Sequence, residues 1–140
     1  MHNIDKFEKV RTPFYYYDTD LLRTTLRTIN EESGKHEGFK VHYAIKANAN
    51  PKLLAIIREA GLGADCVSGG EIEAACKAGF PCDGIVYAGV GKSDWEINLG
   101  LDKDIFCFNV ERVLPNLMSS MNWQLPRIRW QEWHSASIPM

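Results

Sequence analysis

Residues 39–79, FKVHYAIKANANPKLLAIIREAGLGADCVSGGEIEAACKAG, hold two successive strand-and-helix units. In FKVHYAI, Phe39, Val41, Tyr43 and Ile45 occupy alternate positions and so share one face of a predicted strand. Asn50 is placed to cap a helix that begins at Pro51, carries Leu53, Leu54, Ile56 and Ile57, and stops at Gly61. GADCV predicts the next strand. Ser68 and Glu71 then have capping-box spacing ahead of the helix EIEAACKA, which Gly79 ends.

The same rhythm continues downstream. GIVYAG is a third predicted strand, and Ser93 with Glu96 repeats the capping-box spacing for a helix around Trp95, Ile97 and Leu99 that stops near Gly100. DIFCFN reads as a fourth strand, with Asn109 placed to cap VERVLPNL, a helix that Pro115 interrupts. Strands recurring at about twenty residues signal βα units and a parallel sheet. Upstream, TPFYYYD is a strand candidate outside the repeat. Asp18 or Thr19 then caps a helix in which Leu22, Leu26 and Ile29 form one stripe. Periodicity alone leaves two α/β architectures open: half of an eight-stranded barrel, or most of an open doubly wound sheet.

Composition narrows the function classes. The chain has 140 residues, 45% hydrophobic and 24% charged, which is ordinary for a globular domain. A net charge of −2 offers no broad basic surface for nucleic acid, so a small-molecule substrate is expected. No apolar run approaches the ~20 residues of a membrane span, and a cytoplasmic protein without membrane partners is expected. Cys66, Cys76, Cys82 and Cys107 lack CxxC pairing, and the four histidines supply no zinc-like spacing, so reduced thiols and no metal site are expected.

Lys46 stands just past the first strand of the repeat, at the carboxyl end where parallel α/β enzymes place reactive groups. A lysine there can form a Schiff base with an aldehyde cofactor, since its neutral amine is nucleophilic. A solvated loop lysine is the competing reading. GVGKS, residues 89–93, lacks the full G-x-x-x-x-G-K-[ST] spacing, so it is not a nucleotide-binding loop.

Four stretches occur in order: TPFYYYDTDLL, VHYAIKANANPKLL, GLGADCVSGGEIEAACKAGF and VYAGVGKSDWEI. Together, over residues 12 to 113, they resemble the fold-type III pyridoxal-phosphate-dependent decarboxylases, most closely the diaminopimelate decarboxylase family. YAIKAN alone is shared among several related decarboxylases; the ordered set is far more specific.

The resemblance implies a partial (β/α)8 TIM-type barrel, about its first half. Residues 1–20 would associate with a second, β-rich domain to which the TPFYYYD strand belongs, and residues 21–115 would begin the pyridoxal-phosphate-binding barrel. It implies Lys46 as the catalytic residue that carries pyridoxal 5'-phosphate, with Tyr43 and Ala44 along the floor of the site and Asp65 and Glu71 near the cofactor. Glu71 has a competing role in the capping box. Gly69 and Gly70 open a helix N-terminus that would suit an anion, although the family holds its phosphate mainly with later glycines. Lys92 would lie at the site's rim, with a solvated lysine as the alternative.

The implied reaction is decarboxylation of meso-2,6-diaminopimelate to L-lysine, in a homodimer whose site forms between subunits. A decarboxylase of ornithine, arginine or carboxynorspermidine is the nearest rival, and a non-catalytic pyridoxal-phosphate-binding protein is a rival of another class. Full members of the family are much longer, so a truncated and inactive chain is expected. Residues 116–140 change texture, holding three of the four tryptophans without strand or helix periodicity. They read as an out-of-frame tail, since the fixed tryptophan and methionine codons, read two nucleotides later, allow a helix followed by a strand.

Overall fold

A computed structural model describes residues 7–8 and 10–109. The expected helix from Val110 and the tail over 116–140 lie outside the described residues. Helix α1 spans Thr19–Ser33 because the Asp18 carboxylate accepts the Asp20 and Leu21 amides at 3.1 and 2.9 Å, capping donors that no helical carbonyl reaches. Its stripe turns inward at Leu26, with Leu22 packed beside it.

Strand β1 covers His42–Ala44 and runs into a 3-10 turn, Ile45–Ala47. Helix α2, Pro51–Glu59, is capped by the Asn50 side chain on the Lys52 amide at 3.0 Å and buries Leu53, Leu54 and Ile57. Gly61 takes φ +86°, the left-handed turn that suits glycine after a helix. Strand β2, Gly63–Cys66, leads into helix α3, Gly69–Lys77. A second 3-10 turn, Cys82–Gly84, precedes strand β3, Ile85–Tyr87; helix α4, Asp94–Asp102, then reaches strand β4, Cys107–Phe108.

All three strand pairs are parallel and the sheet order is β1-β2-β3-β4. Consecutive helices touch, α1 on α2, α2 on α3 and α3 on α4. A doubly wound sheet reverses its strand order at a switch point; this sheet adds each strand beside the last, as a barrel does. The core lies between sheet and helices, where Ala64, Cys66, Ile85 and Tyr87 from the strands meet Leu54, Ile57, Ile72 and Ala75.

Three expectations fail. TPFYYYD forms no strand: it joins none of the sheet's pairs, and Tyr15 and Tyr16 stand 88% and 61% exposed. Its rings find each other instead, Phe14 and Tyr16 against Phe7 and Tyr15 on Tyr17. Without a partner edge to bond its amides, β-rich composition does not make a strand. Phe39 lies ahead of β1, against the His36 ring, and is exposed rather than on the strand's buried face. Gly100 does not stop α4, which continues to Asp102; it is buried in the helix, where a Cβ would stand 2.7 Å from Phe108 Cζ.

Candidate active site

The parallel register divides the sheet into two faces. Tyr43, Ala64 and Ile85 are lateral neighbours, and so are Cys66, Tyr87 and Phe108; these rows face the helices. Ala44, Asp65, Val86 and Cys107 line the opposite face and are half-buried. Tyr43 therefore packs toward the core, with its hydroxyl donating to the Asn48 carbonyl at 3.3 Å. Side-chain alternation puts Tyr43 on the other face of the sheet from Ala44 and Asp65.

Lys46 emerges at the carboxyl end of β1 and is exposed. Its turn packs against β2, the strand of Asp65. Asn48, which sequence reasoning missed, fixes the chain just beyond it. The Asn48 side chain donates to the Tyr17 hydroxyl at 3.0 Å and accepts the Asn50 amide at 2.9 Å, while its carbonyl takes the Tyr43 hydroxyl. An asparagine side chain supplies donor and acceptor at once, the chemistry that its ties to Tyr17 and to the Asn50 amide require.

Asp65 lies between Ala44 and Val86, near the carboxyl end of β2. Its Oδ1 is buried with no hydrogen-bond partner among the described residues. Such an atom costs free energy unless a bound molecule completes it.

Glu71 departs from the reciprocal capping box. Ser68 Oγ accepts the Glu71 amide at 3.3 Å, but the Glu71 carboxylate accepts the Val67 amide at 2.9 Å, one residue before the cap. Glu71 thus fixes the loop after β2, behind Asp65. The second capping box behaves as expected: Glu96 Oε2 accepts from the Ser93 amide at 3.0 Å and hydroxyl at 2.6 Å. Glu96 Oε1 reaches further and accepts the Gly69 amide at 2.8 Å. An internal carboxylate thereby occupies the first turn of α3, the place that Gly69 and Gly70 offered a phosphate on the sequence reading. Burial opposes the charge on Glu96, but these hydrogen bonds outweigh it and hold its pKa at about 2. The Tyr87 hydroxyl is buried with no hydrogen-bond partner among the described residues; burial chiefly, and then the Glu96 carboxylate, push its pKa up.

Lys92 is half-buried, donating to the Gly89 and Asn109 carbonyls and lying over the Tyr87 ring. Among the described residues, a cavity of about 370 Å³ opens at the amino ends of the strands, lined by Lys40, His42, Gly63 and Gly84 among others. That end of a parallel barrel carries stability rather than chemistry, and Lys46 and Asp65 lie at the other.

Residues 20–119 match the family described as pyridoxal-dependent decarboxylase, pyridoxal binding domain. The diaminopimelate decarboxylase of Bacteroides thetaiotaomicron is 68% identical over 110 residues, which are 79% of this chain and 28% of that protein. The crystal structure of diaminopimelate decarboxylase from Helicobacter pylori complexed with L-lysine is 38% identical, with a TM-score of 0.72 over 85% of this chain and 30% of that one. An L-glutamyl-[BtrI acyl-carrier protein] decarboxylase from Niallia circulans is 31% identical over 117 residues, 79% of this chain and 27% of that protein. The chain spans less than a third of the length of each of these relatives.

Proposed function

Because the chain belongs to the pyridoxal-dependent decarboxylase family, we propose that it forms the lysine-bearing part of an enzyme that converts meso-2,6-diaminopimelate to L-lysine and carbon dioxide. The observation that carries this reading is Lys46, exposed at the carboxyl end of β1 beside the strand of a buried, unpartnered Asp65 oxygen. These residues fit pyridoxal 5'-phosphate: an accessible amine to hold its aldehyde carbon, and an acceptor awaiting a donor. When bound, the cofactor supplies an electron sink for the carbon that loses its carboxylate.

The chain's own residues do the positioning. Lys46 Nζ would hold the aldehyde carbon of the cofactor. Asp65 offers its carboxylate to a donor on the bound molecule. Asn48 and Tyr17 fix the loop beyond Lys46, and Glu71 fixes the loop beyond Asp65. With Glu96 seated on Gly69, the phosphate belongs with residues other than the first turn of α3.

On the resemblance, we propose that residues 1–20 associate with a β-rich second domain and that the intact protein is a cytoplasmic homodimer. No helix among the described residues is long and apolar enough to cross a membrane. The Niallia circulans relative shows that similarity at this level spans more than one substrate, so ornithine, arginine and carboxynorspermidine belong in the same assay.

The test has two parts. Incubating the chain with pyridoxal phosphate, reducing with borohydride and mapping the adduct by mass spectrometry places it on Lys46, and Lys46→Ala removes it. An adduct elsewhere, or none, overturns the cofactor reading. A full-length protein containing this chain releases carbon dioxide from meso-diaminopimelate in preference to the other three amino acids. Cofactor binding without release from any of them favours a non-catalytic binding protein.

A further inference from the structure

We propose that Lys92 is a positioning residue that clamps the β3–α4 loop against the exit of β4 and so sets the rim beside Asp65. Its effect on the cofactor rests on the function proposed above; the clamp itself does not.

The Lys92 ammonium donates to two carbonyls seventeen and three residues away in sequence, Asn109 at 2.9 Å and Gly89. It also lies 4.8 Å from the centroid of the Tyr87 ring, a cation–π placement. A solvated loop lysine has none of these ties. Gly89 takes φ +90°, a turn that offers its carbonyl to Lys92, and a Cβ there would lie 3.6 Å from Val67 Cβ. Val67 follows Asp65 by two residues, and its amide is bound by Glu71. The Ala88 amide, beside Gly89, donates to the Cys66 carbonyl at the end of β2 at 2.7 Å, so the contacts run from the end of β4 through Lys92 and Gly89 to β2. Asn109 is tied in as well, its amide donating to the Tyr87 carbonyl at 2.8 Å.

A compact ammonium with several donors suits this place better than a neutral side chain, since each carbonyl gains a charge-assisted bond. Removing it leaves two carbonyls without that donor and lets the loop open locally.

The experiment uses the full chain. In the unsubstituted protein, the Tyr87 ring shifts the Lys92 ε-methylene protons upfield of their position in the urea-unfolded chain. Lys92→Met speeds amide exchange at Ser93 and Asn109, whose amides donate to the Glu96 carboxylate and the Tyr87 carbonyl, by about tenfold, and Lys92→Arg restores most of the protection. Spectrophotometric titration with pyridoxal phosphate gives several-fold weaker binding for Lys92→Met, again rescued by Lys92→Arg.

Random-coil shifts in the unsubstituted chain, or unchanged exchange in Lys92→Met, overturn the proposal. A loosened loop with unchanged cofactor affinity makes Lys92 merely structural and also overturns it. Should Lys92→Met fail to fold, the methylene shift in the unsubstituted chain decides. An unsubstituted chain that binds no cofactor refutes the cofactor reading, and the exchange pattern still decides the clamp.

Discussion

The Glu96 carboxylate accepts the Gly69 amide at 2.8 Å, so helix α4 supplies the anion that seats on the first turn of helix α3. The same carboxylate caps its own helix at Ser93. One side chain thus satisfies the amino ends of two helices, which fixes the loops after β2 and β3 relative to each other.

The acid stability of the chain follows from that arrangement. Burial works against the Glu96 charge, yet the hydrogen bonds from Ser93 and Gly69 hold its pKa at about 2, below the ordinary 4.5. A carboxylate whose folded pKa is depressed contributes stability that is whole above the unfolded value and is lost as pH falls toward the folded one. Urea titrations should show Glu96→Gln less stable than the parent near neutrality, by about 2 kcal/mol on the scale of charge-assisted hydrogen bonds. The gap should narrow between pH 4.5 and 2. A gap independent of pH would assign the loss to packing.

Gly100→Ala sets two effects against each other. Alanine in place of glycine within a helix gains about 1 kcal/mol from propensity. Here its Cβ would stand 2.7 Å from Phe108 Cζ and 3.0 Å from Ile105 Cδ1, two side chains in or against the core. Overpacking of that kind costs about 1–3 kcal/mol, so the variant should be less stable by roughly 1 kcal/mol in denaturant titration. A stabilised variant would mean that β4 yields without resistance.

Asn48→Ala removes the tie to Tyr17 and the acceptor for the Asn50 amide. Both groups lie near the surface, so stability should fall by only about 1 kcal/mol. Pyridoxal phosphate binding should weaken several-fold, because the loop beyond Lys46 loses its restraints. Equal affinity in the variant and the parent would remove Asn48 from the site's support.

What could be read from the sequence was local. Asp18, Asn50 and Ser93 cap their helices, and Gly61 and Gly79 turn the chain after theirs, because each acts within a few residues of itself. What could not be read depends on neighbours distant in sequence. TPFYYYD has strand composition but no edge to pair with, and Gly100 resembles a stop signal until Phe108 is seen against it. Tyr43 and Asp65 were both assigned to the site by motif, and register separates them onto opposite faces of the sheet. The link from Glu96 to Gly69 joins residues 27 positions apart and leaves no pattern in composition or periodicity.

The four cysteines should differ in reactivity. Cys66 is fully buried in β2, and its thiol is pushed up to about 12, by burial first and then by the nearby Glu71 and Asp65 charges. Burial also pushes up the thiols of Cys76 and Cys107, although both are partly accessible. The thiolate is the nucleophile, so a raised pKa and lost access act in the same direction at Cys66. Alkylation of the native chain near neutral pH, followed by peptide mass spectrometry, should label Cys66 last. Denaturant should bring its rate to that of the others. Early labelling of Cys66 under native conditions would show that β2 is reached by solvent and that the core between sheet and helices is looser than its packing indicates.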